Sequence, residues 1–436
     1  MSYSALPYFP VIIDASLGDF KYAADQCMRS HTMGQRAELV QTLTKIWMSE
    51  ANANSVLPSL SVRSGFDLFL QAKRFPRGSE VIMSAVNIPD MGRIVQSHGL
   101  SIVPLDISID SLEPKIESLP SLISPKTVAI VVAHLCGRWI DMDPIISAAR
   151  MYGLTVVEDC AECFCGFDHL GHPESDISLF SFGTIKFSTS FGGCIAKVRD
   201  SEVFQTMSSL QNNYPVQTPS MYLKKVLKLA VLYTWMQVKP FPQVGREVLC
   251  RLGVDYKAKF VKMMRGFPDK MLESIRCQPS SALLATMAYR HQNFTRSNFD
   301  LQRLKGEYFL SRLPAGFEKV GHSAEINNFW LFPVLTVSFP VFYWNYHLIN
   351  HWGKRLLTKT LYFLKIILQD SAAVNKRYPH EAKYMIDHVL YLPVNKRVPF
   401  KDLDKMLKAC ELAFALSRQP DRKSGGELKL QLKSKL

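Results

Sequence analysis

The chain has 436 residues, 47% of them hydrophobic and 21% charged, with a formal net charge of +14 at pH 7. Such a composition excludes a disordered or fibrous chain and supplies length for a large core and two domains. Nine cysteines, an odd number scattered without a secretory leader ahead of them, argue against a disulfide scaffold and for reduced thiols in a cytoplasmic compartment.

The positive charge is uneven. Residues 211–275 carry eleven Lys/Arg against four Asp/Glu, and residues 418–436 carry six against two. This balance favours anionic partners such as a phosphorylated substrate or a lipid surface. No zinc-finger, helix-turn-helix or RNA-binding aromatic pattern accompanies it, so nucleic acid is not expected. Cys160, Cys163 and Cys165 cluster without a distal Cys/His pair at zinc spacing and read as packing, so no metal is expected.

From Ser64 to Ala196, short apolar runs alternate with helical stretches. The runs are 80–83, 101–105, 128–133, 154–158, 177–180 and 193–196. Apolar strands separated by helices predict an α/β domain with a mostly parallel sheet covered on both faces. Ligands of such sheets gather at the carboxyl ends of the strands, and Asp159, His134 and Ser181 fall at such ends. Ser64-Gly65 precedes an apolar helical stretch from Phe66 to Ala72, where free amides could meet a phosphate.

Further along, residues from about 205 to 275 form a basic insert with prolines at 215, 219, 240 and 242. Its helix, from Met221 to Val238, holds Lys224, Lys225 and Lys228 among apolar residues. A helical connection follows from Ser280 to about Phe309. The uncharged stretch Asn328–Leu348 contains Pro333 and Pro340 and reads as strands rather than a membrane span. A helix is expected from Asp402 to Leu416. The division expected is a large domain over 1–275, a smaller α+β domain over 276–417, and a disordered basic tail over 418–436.

The chemistry concentrates at one spacing. Lys186 stands five residues after Ser181, downstream of a strand ending in Glu158-Asp159. An amine able to form a Schiff base, a hydroxyl able to bind phosphate and a strand-end carboxylate are what a protein must add to pyridoxal 5'-phosphate (PLP).

The motifs in order also resemble one family, the DegT/StrS-type PLP-dependent aminotransferases. The resemblance runs through Ser64-Gly65, 78–82, 132–137, 158–162, Ser181 to Lys186, Gly192-Gly193, 328–333 and Leu392-Pro393. It implies a PLP-dependent transferase of fold type I. Catalytic roles fall on Lys186, which would bind the cofactor, and Asp159, which would face its ring nitrogen. Ser64, Gly65 and Ser181 would be phosphate contacts, Ile88 would occupy the place of an aromatic residue on the ring, and Glu162 would lie near the phenolic oxygen where Gln is usual. Where the family has an Asn-x-Arg/Lys phosphate contact from a partner subunit, this chain has Cys277-Gln278-Pro279.

The resemblance further implies a homodimer, an amino-acid donor such as glutamate, and a keto acceptor carried on a nucleotide-linked sugar. A reading of another class makes the chain a peripheral membrane or partner-binding protein on a PLP scaffold, docking on anionic lipid through 221–238. Between the two stands an aminotransferase that acts on a lipid-linked or hydrophobic ketone.

Overall fold

The structure is a computed structural model, and it describes residues 8–48, 55–237, 270–336, 365–366 and 378–417. Strands in its first half are β1 (Ser55–Ser59), β2 (Glu80–Ser84), β3 (Val86–Asn87), β4 (Ser101–Leu105), β5 (Thr127–Ala133), β6 (Arg138–Trp139), β7 (Thr155–Asp159), β8 (Ile177–Ser181) and β9 (Cys194–Val198). Seven of them form one sheet in the order β1-β9-β8-β7-β5-β2-β4. From β4 to β8 neighbours run parallel; β9 is antiparallel to β8, and β1 to β9.

The expected strands are all present, and β1 is added. Its sequence, Ser-Val-Leu-Pro-Ser, carries a proline that only an edge strand tolerates, because an edge leaves one side of the ladder unpaired.

Both faces of the sheet are buried, which explains its continuous apolar runs. Val81, Met83, Val131 and Leu179 point to one side, against Phe66 and Phe69 of α3 (Val62–Lys73) and Ile94 of α4 (Pro89–Ser97). On the opposite side Ile82, Val103, Ile130 and Val156 meet Leu119 and Leu122 of α5 (Leu119–Leu122) and Ile145 and Ile146 of α6 (Asp143–Tyr152). The helix α1 is Leu17–Met28 and α2 is Met33–Trp47; Ser16 and Thr32 start them with reciprocal capping boxes.

The helix α3 begins at Val62, ahead of the Phe66 expected from the sequence, because Ser61 caps it by accepting the Ser64 amide. Ser64 and Gly65 therefore lie inside its first turns. A Cβ on Gly65 would stand 3.0 Å from Leu179 Cδ2, so this glycine serves the close approach of helix and sheet.

The chain continues with α7 (Ser201–Asn212), α8 (Pro219–Gln237), α9 (Met271–Ile275), α10 (Ser281–Gln292) and α11 (Ser297–Ser311). The basic-insert helix is thus α8, which packs on α1 and α10 through buried Tyr222, Val226, Leu229 and Leu232. The rest of the insert, 238–269, lies outside the described residues, as do 337–348 of the uncharged stretch and the tail after Ser417.

Beyond α11, β10 (Phe317–Lys319), β12 (Phe332–Thr336) and β14 (Val389–Leu392) make a three-stranded antiparallel sheet. With α11 and α13 (Phe400–Ser417) it encloses a core of its own around Phe309, Phe332, Leu403 and Met406. Between these strands, β11 (Ile326–Asn327) pairs with β6 and β13 (Lys365–Ile366) with β3, while α12 (His380–His388) precedes β14. No helix among the described residues is long and apolar enough to cross a membrane.

Candidate active site

A cavity of about 680 Å³ opens at the carboxyl ends of β5, β7 and β8. The sheet rule placed a site there because loops and helix N-termini converge at that edge. Asp159, Glu162, Ser181, Lys186 and Ile88 all line it. Ser64 and Gly65 do not; the α3 N-terminus reaches the cavity through Ser61, Val62 and Arg63. As residues of the first turn, Val62 and Arg63 have amides with no partner inside the helix.

Lys186 is presented by a tight turn between β8 and β9. Its amide donates to Gly183 O at 3.1 Å, and the amides of Ser190 and Gly192 both donate to Phe182 O at 3.1 Å, closing the loop. Lys186 Nζ sits 3.8 Å from the centre of the Trp330 ring and 3.4 Å from Glu162 Oε1. Trp330 is fixed in turn, its indole N–H donating to Ile185 O at 2.7 Å. The other Glu162 oxygen accepts the Cys136 amide at 2.9 Å. Glu162 therefore neighbours the lysine as a hydrogen-bonded ion pair. Sequence reasoning missed Trp330; its only sequence signal was membership of the 328–333 motif.

Trp330 can approach because Gly137 has no side chain. That glycine has φ +91, and a Cβ on it would lie 2.5 Å from the Trp330 nitrogen.

Asp159 ends β7 with its side chain buried, accepting one hydrogen bond, from the Ala161 amide at 3.1 Å. Burial pushes its carboxyl up to about 6, against the pull of that amide and of the Lys186 charge. Asn87 also lines the cavity, and its Nδ2 is buried with no hydrogen-bond partner among the described residues.

His134 borders the cavity but is fully committed. Its Nδ1 accepts the Ile140 amide at 3.1 Å, so the ring proton is on Nε2, directed at Glu158 Oε1 2.9 Å away. Burial raises the Glu158 carboxyl, but His134, Ser178 and the His172 amide outweigh it and hold it down at about 2. Cys160, Cys163 and His134 bring their ligand atoms within 4.8 Å of one another. Burial pushes the Cys163 thiol up to about 11 and that of Cys160 further, and both His134 nitrogens are engaged in hydrogen bonds. Cys165 lies outside it.

The cavity wall also takes residues from α8. Lys224, Lys225 and Lys228, expected on a membrane-facing arc, line the cavity, while Leu227 and Val231 on the same helix remain exposed.

A parallel sheet with one antiparallel return, helices on both faces, and a lysine and a buried aspartate at its carboxyl edge match the fold that the resemblance to fold type I transferases implies. Solved structures share this fold. NtdA from Bacillus subtilis, solved with bound cofactor PMP, superposes with a TM-score of 0.64 at 14% identity, over 95% of this chain and 86% of its own. DesI, solved in the presence of its TDP-sugar product, gives 0.63 at 15% identity over 99% and 96%. The aminotransferase TlmJ from Streptoalloteichus hindustanus gives 0.63 at 14% over 94% and 99%.

Residues 19–227, just under half of the chain, match the model of the DegT/DnrJ/EryC1/StrS aminotransferase family. A curated relative, GDP-perosamine synthase of Escherichia coli O157:H7, is 28% identical over 197 residues, 44% of this chain. The match spans 53% of that relative, about half its length.

Proposed function

We propose that this protein is a PLP-dependent aminotransferase that moves an amino group from an amino acid, with glutamate as donor, to a keto acceptor carried on a nucleotide-linked sugar. The observation that carries the reading is the meeting of Lys186 and Asp159 in one cavity at the carboxyl edge of the sheet. The cavity's own chemistry fits PLP. Asp159 is a buried carboxylate with a single amide contact and a raised pKa, a group that gains from a cationic N–H partner. Asn87 Nδ2 is a buried donor without a partner among the described residues.

In this reading Lys186 would hold the cofactor, Asp159 would face its ring nitrogen, and Ser181 with the α3 N-terminus would take its phosphate. Ile88 would lie against the ring and Glu162 beside Lys186. When bound, PLP supplies an electron sink and a carbon that carries the amine between the two half-reactions. Asp159 would keep a proton on the ring nitrogen by its charge. Once the donor's amine has displaced it, the freed Lys186 amine would take the proton from Cα of the donor. Trp330 shields the lysine from water on one side, and the Glu162 carboxylate offers it a nearby resting partner.

The relative's name, GDP-perosamine synthase, and the TDP-sugar in the DesI structure support a nucleotide-sugar acceptor. The basic α8 wall of the cavity supports an anionic one. We take the working form to be a homodimer in a cytoplasmic compartment, and the large domain to be 1–275 with 276–417 as the smaller one. Loading the purified protein with PLP and glutamate, then screening keto acceptors by mass for exchange of oxygen for one amine, tests the reading. Absence of cofactor binding would end it.

One observation keeps a second reading, in which α8 docks on anionic lipid: Leu227 and Val231 are exposed beside Lys224 and Lys228. Cosedimentation with anionic and neutral vesicles at low and high salt distinguishes the two. Salt-sensitive binding to anionic vesicles alone supports docking, and a protein that stays in the supernatant throughout excludes it.

A further inference from the structure

Of the three α8 lysines that line the cavity, Lys225 is the least exposed. Lys225 projects from α8 into the corner where the α3 N-terminus meets the Gly192-Gly193 turn. Its Nζ lies so close to Gly192 that a Cβ there would be 3.2 Å away. The Gly193 amide donates to Leu60 O at 3.0 Å, which brings this turn against Ser61, Val62 and Arg63. Ser181, on the strand paired to Cys194, lines the same cavity.

The direction of Lys225 is set by its neighbours on α8. Tyr222, Val226 and Leu229 are buried, and the Tyr222 hydroxyl donates to Ser190 O at 2.8 Å, pinning the helix to the turn that carries Lys186. Arg63 pairs with Asp90 at 2.8 Å, Arg276 with Asp67 at 2.9 Å and Lys270 with Glu273 at 3.3 Å, while Lys224 and Lys228 are exposed. Among the described residues no hydrogen bond or ion pair engages Lys225. Burial, then the charges of Arg63 and Lys228, pull its amine down to about 8, as suits a cation lacking its counter-charge.

Resting on the aminotransferase reading, we propose that Lys225 is the counter-charge for the cofactor's phosphate, held between its ammonium and the Val62 and Arg63 amides at the α3 N-terminus. The anion site is then completed within one chain. Of the neighbouring residues, Arg276 is locked on Asp67 and Gln278 donates to the carbonyls of Asn212 and Tyr214. An ammonium and converging amides bind a phosphate dianion by charge-assisted hydrogen bonds.

The test compares PLP with pyridoxal, which lacks the phosphate, by spectroscopic titration of the wild type, Lys225→Met and Lys225→Arg. Lys225→Met should lose about thirtyfold in PLP affinity, the worth of one charge-assisted hydrogen bond, while its affinity for pyridoxal stays at the wild-type value. Lys225→Arg should recover most of the loss. Equal losses for PLP and pyridoxal would mark Lys225 as structural and overturn the proposal. So would an unchanged PLP affinity with lost binding of UDP, which would assign the cation to a substrate diphosphate. A wild type that binds no PLP removes the aminotransferase reading and this proposal together, whereas a wild type that binds PLP independently of Lys225 removes the proposal alone.

Discussion

Lys186 Nζ stands 3.8 Å from the centre of the Trp330 indole ring, a contact between residues 144 positions apart. The lysine is thereby held at the cavity wall rather than in solvent, and one face of its amine is covered by an apolar surface. If Lys186 is the cofactor lysine, borohydride reduction of the PLP-loaded protein followed by peptide mapping places the pyridoxyl mass on the peptide containing Lys186. A label on Lys225, another lysine of the same cavity, would assign the linkage elsewhere.

Asp159 yields a prediction with opposite signs for activity and stability. Its carboxyl is raised by burial to about 6, so between about pH 4 and 6 the folded apoprotein binds more protons than the unfolded chain. Stability contributed by this group is therefore present at low pH and lost as pH rises through 6. At pH 7 Asp159→Asn should raise the stability of the apoprotein by about 2 kcal/mol, read from denaturant midpoints. The same change should lower turnover at least about a hundredfold by removing the charge against the ring nitrogen. A variant with normal turnover would mean that another residue faces that nitrogen.

The Glu162 carboxylate has two jobs in the structure: one oxygen accepts the Cys136 amide and the other neighbours Lys186. Glu162→Gln keeps a carbonyl acceptor for the amide and should leave the melting temperature close to that of the wild type. Glu162→Leu strands a buried N–H and should cost about 1–3 kcal/mol. Equal melting temperatures for the two variants would show that the Cys136 amide finds another acceptor.

Gly137→Ala tests the support behind Trp330. The backbone there has φ +91 and the new methyl would meet the Trp330 nitrogen at 2.5 Å, where a backbone atom has to give way. The expected result is a loss of about 2 kcal/mol or more in stability. Weaker PLP binding should accompany it, measured on the folded fraction, because the Trp330 wall of the site shifts. A variant with wild-type stability would show that the 328–331 segment can retreat freely.

The sequence by itself determined the parallel sheet and the lysine and aspartate at its edge. Val/Ile-rich runs such as 128–133 and 154–158 are apolar on both faces, and only burial between helices satisfies that pattern. Once those strands exist, Asp159 and Ser181 must end at their carboxyl edge, and the short turn after Ser181 keeps Lys186 beside them. Tertiary structure alone decided the rest of the wall. Strand β1 was hidden by Pro58, since an edge position is a property of the sheet and not of the strand. The α3 start at Ser61 was hidden because its hydroxyl cap depends on the backbone angle at the strand-to-helix turn. Trp330 reaches Lys186 only where Gly137 lets two distant segments cross. The lysines of α8, whose periodicity fits a helix facing lipid as well as one lining a cavity, acquired their position from the packing of Tyr222, Val226 and Leu229 against α1 and α10. Periodicity tells which residues share a face of a helix; what that face meets is fixed by contacts far away in the chain.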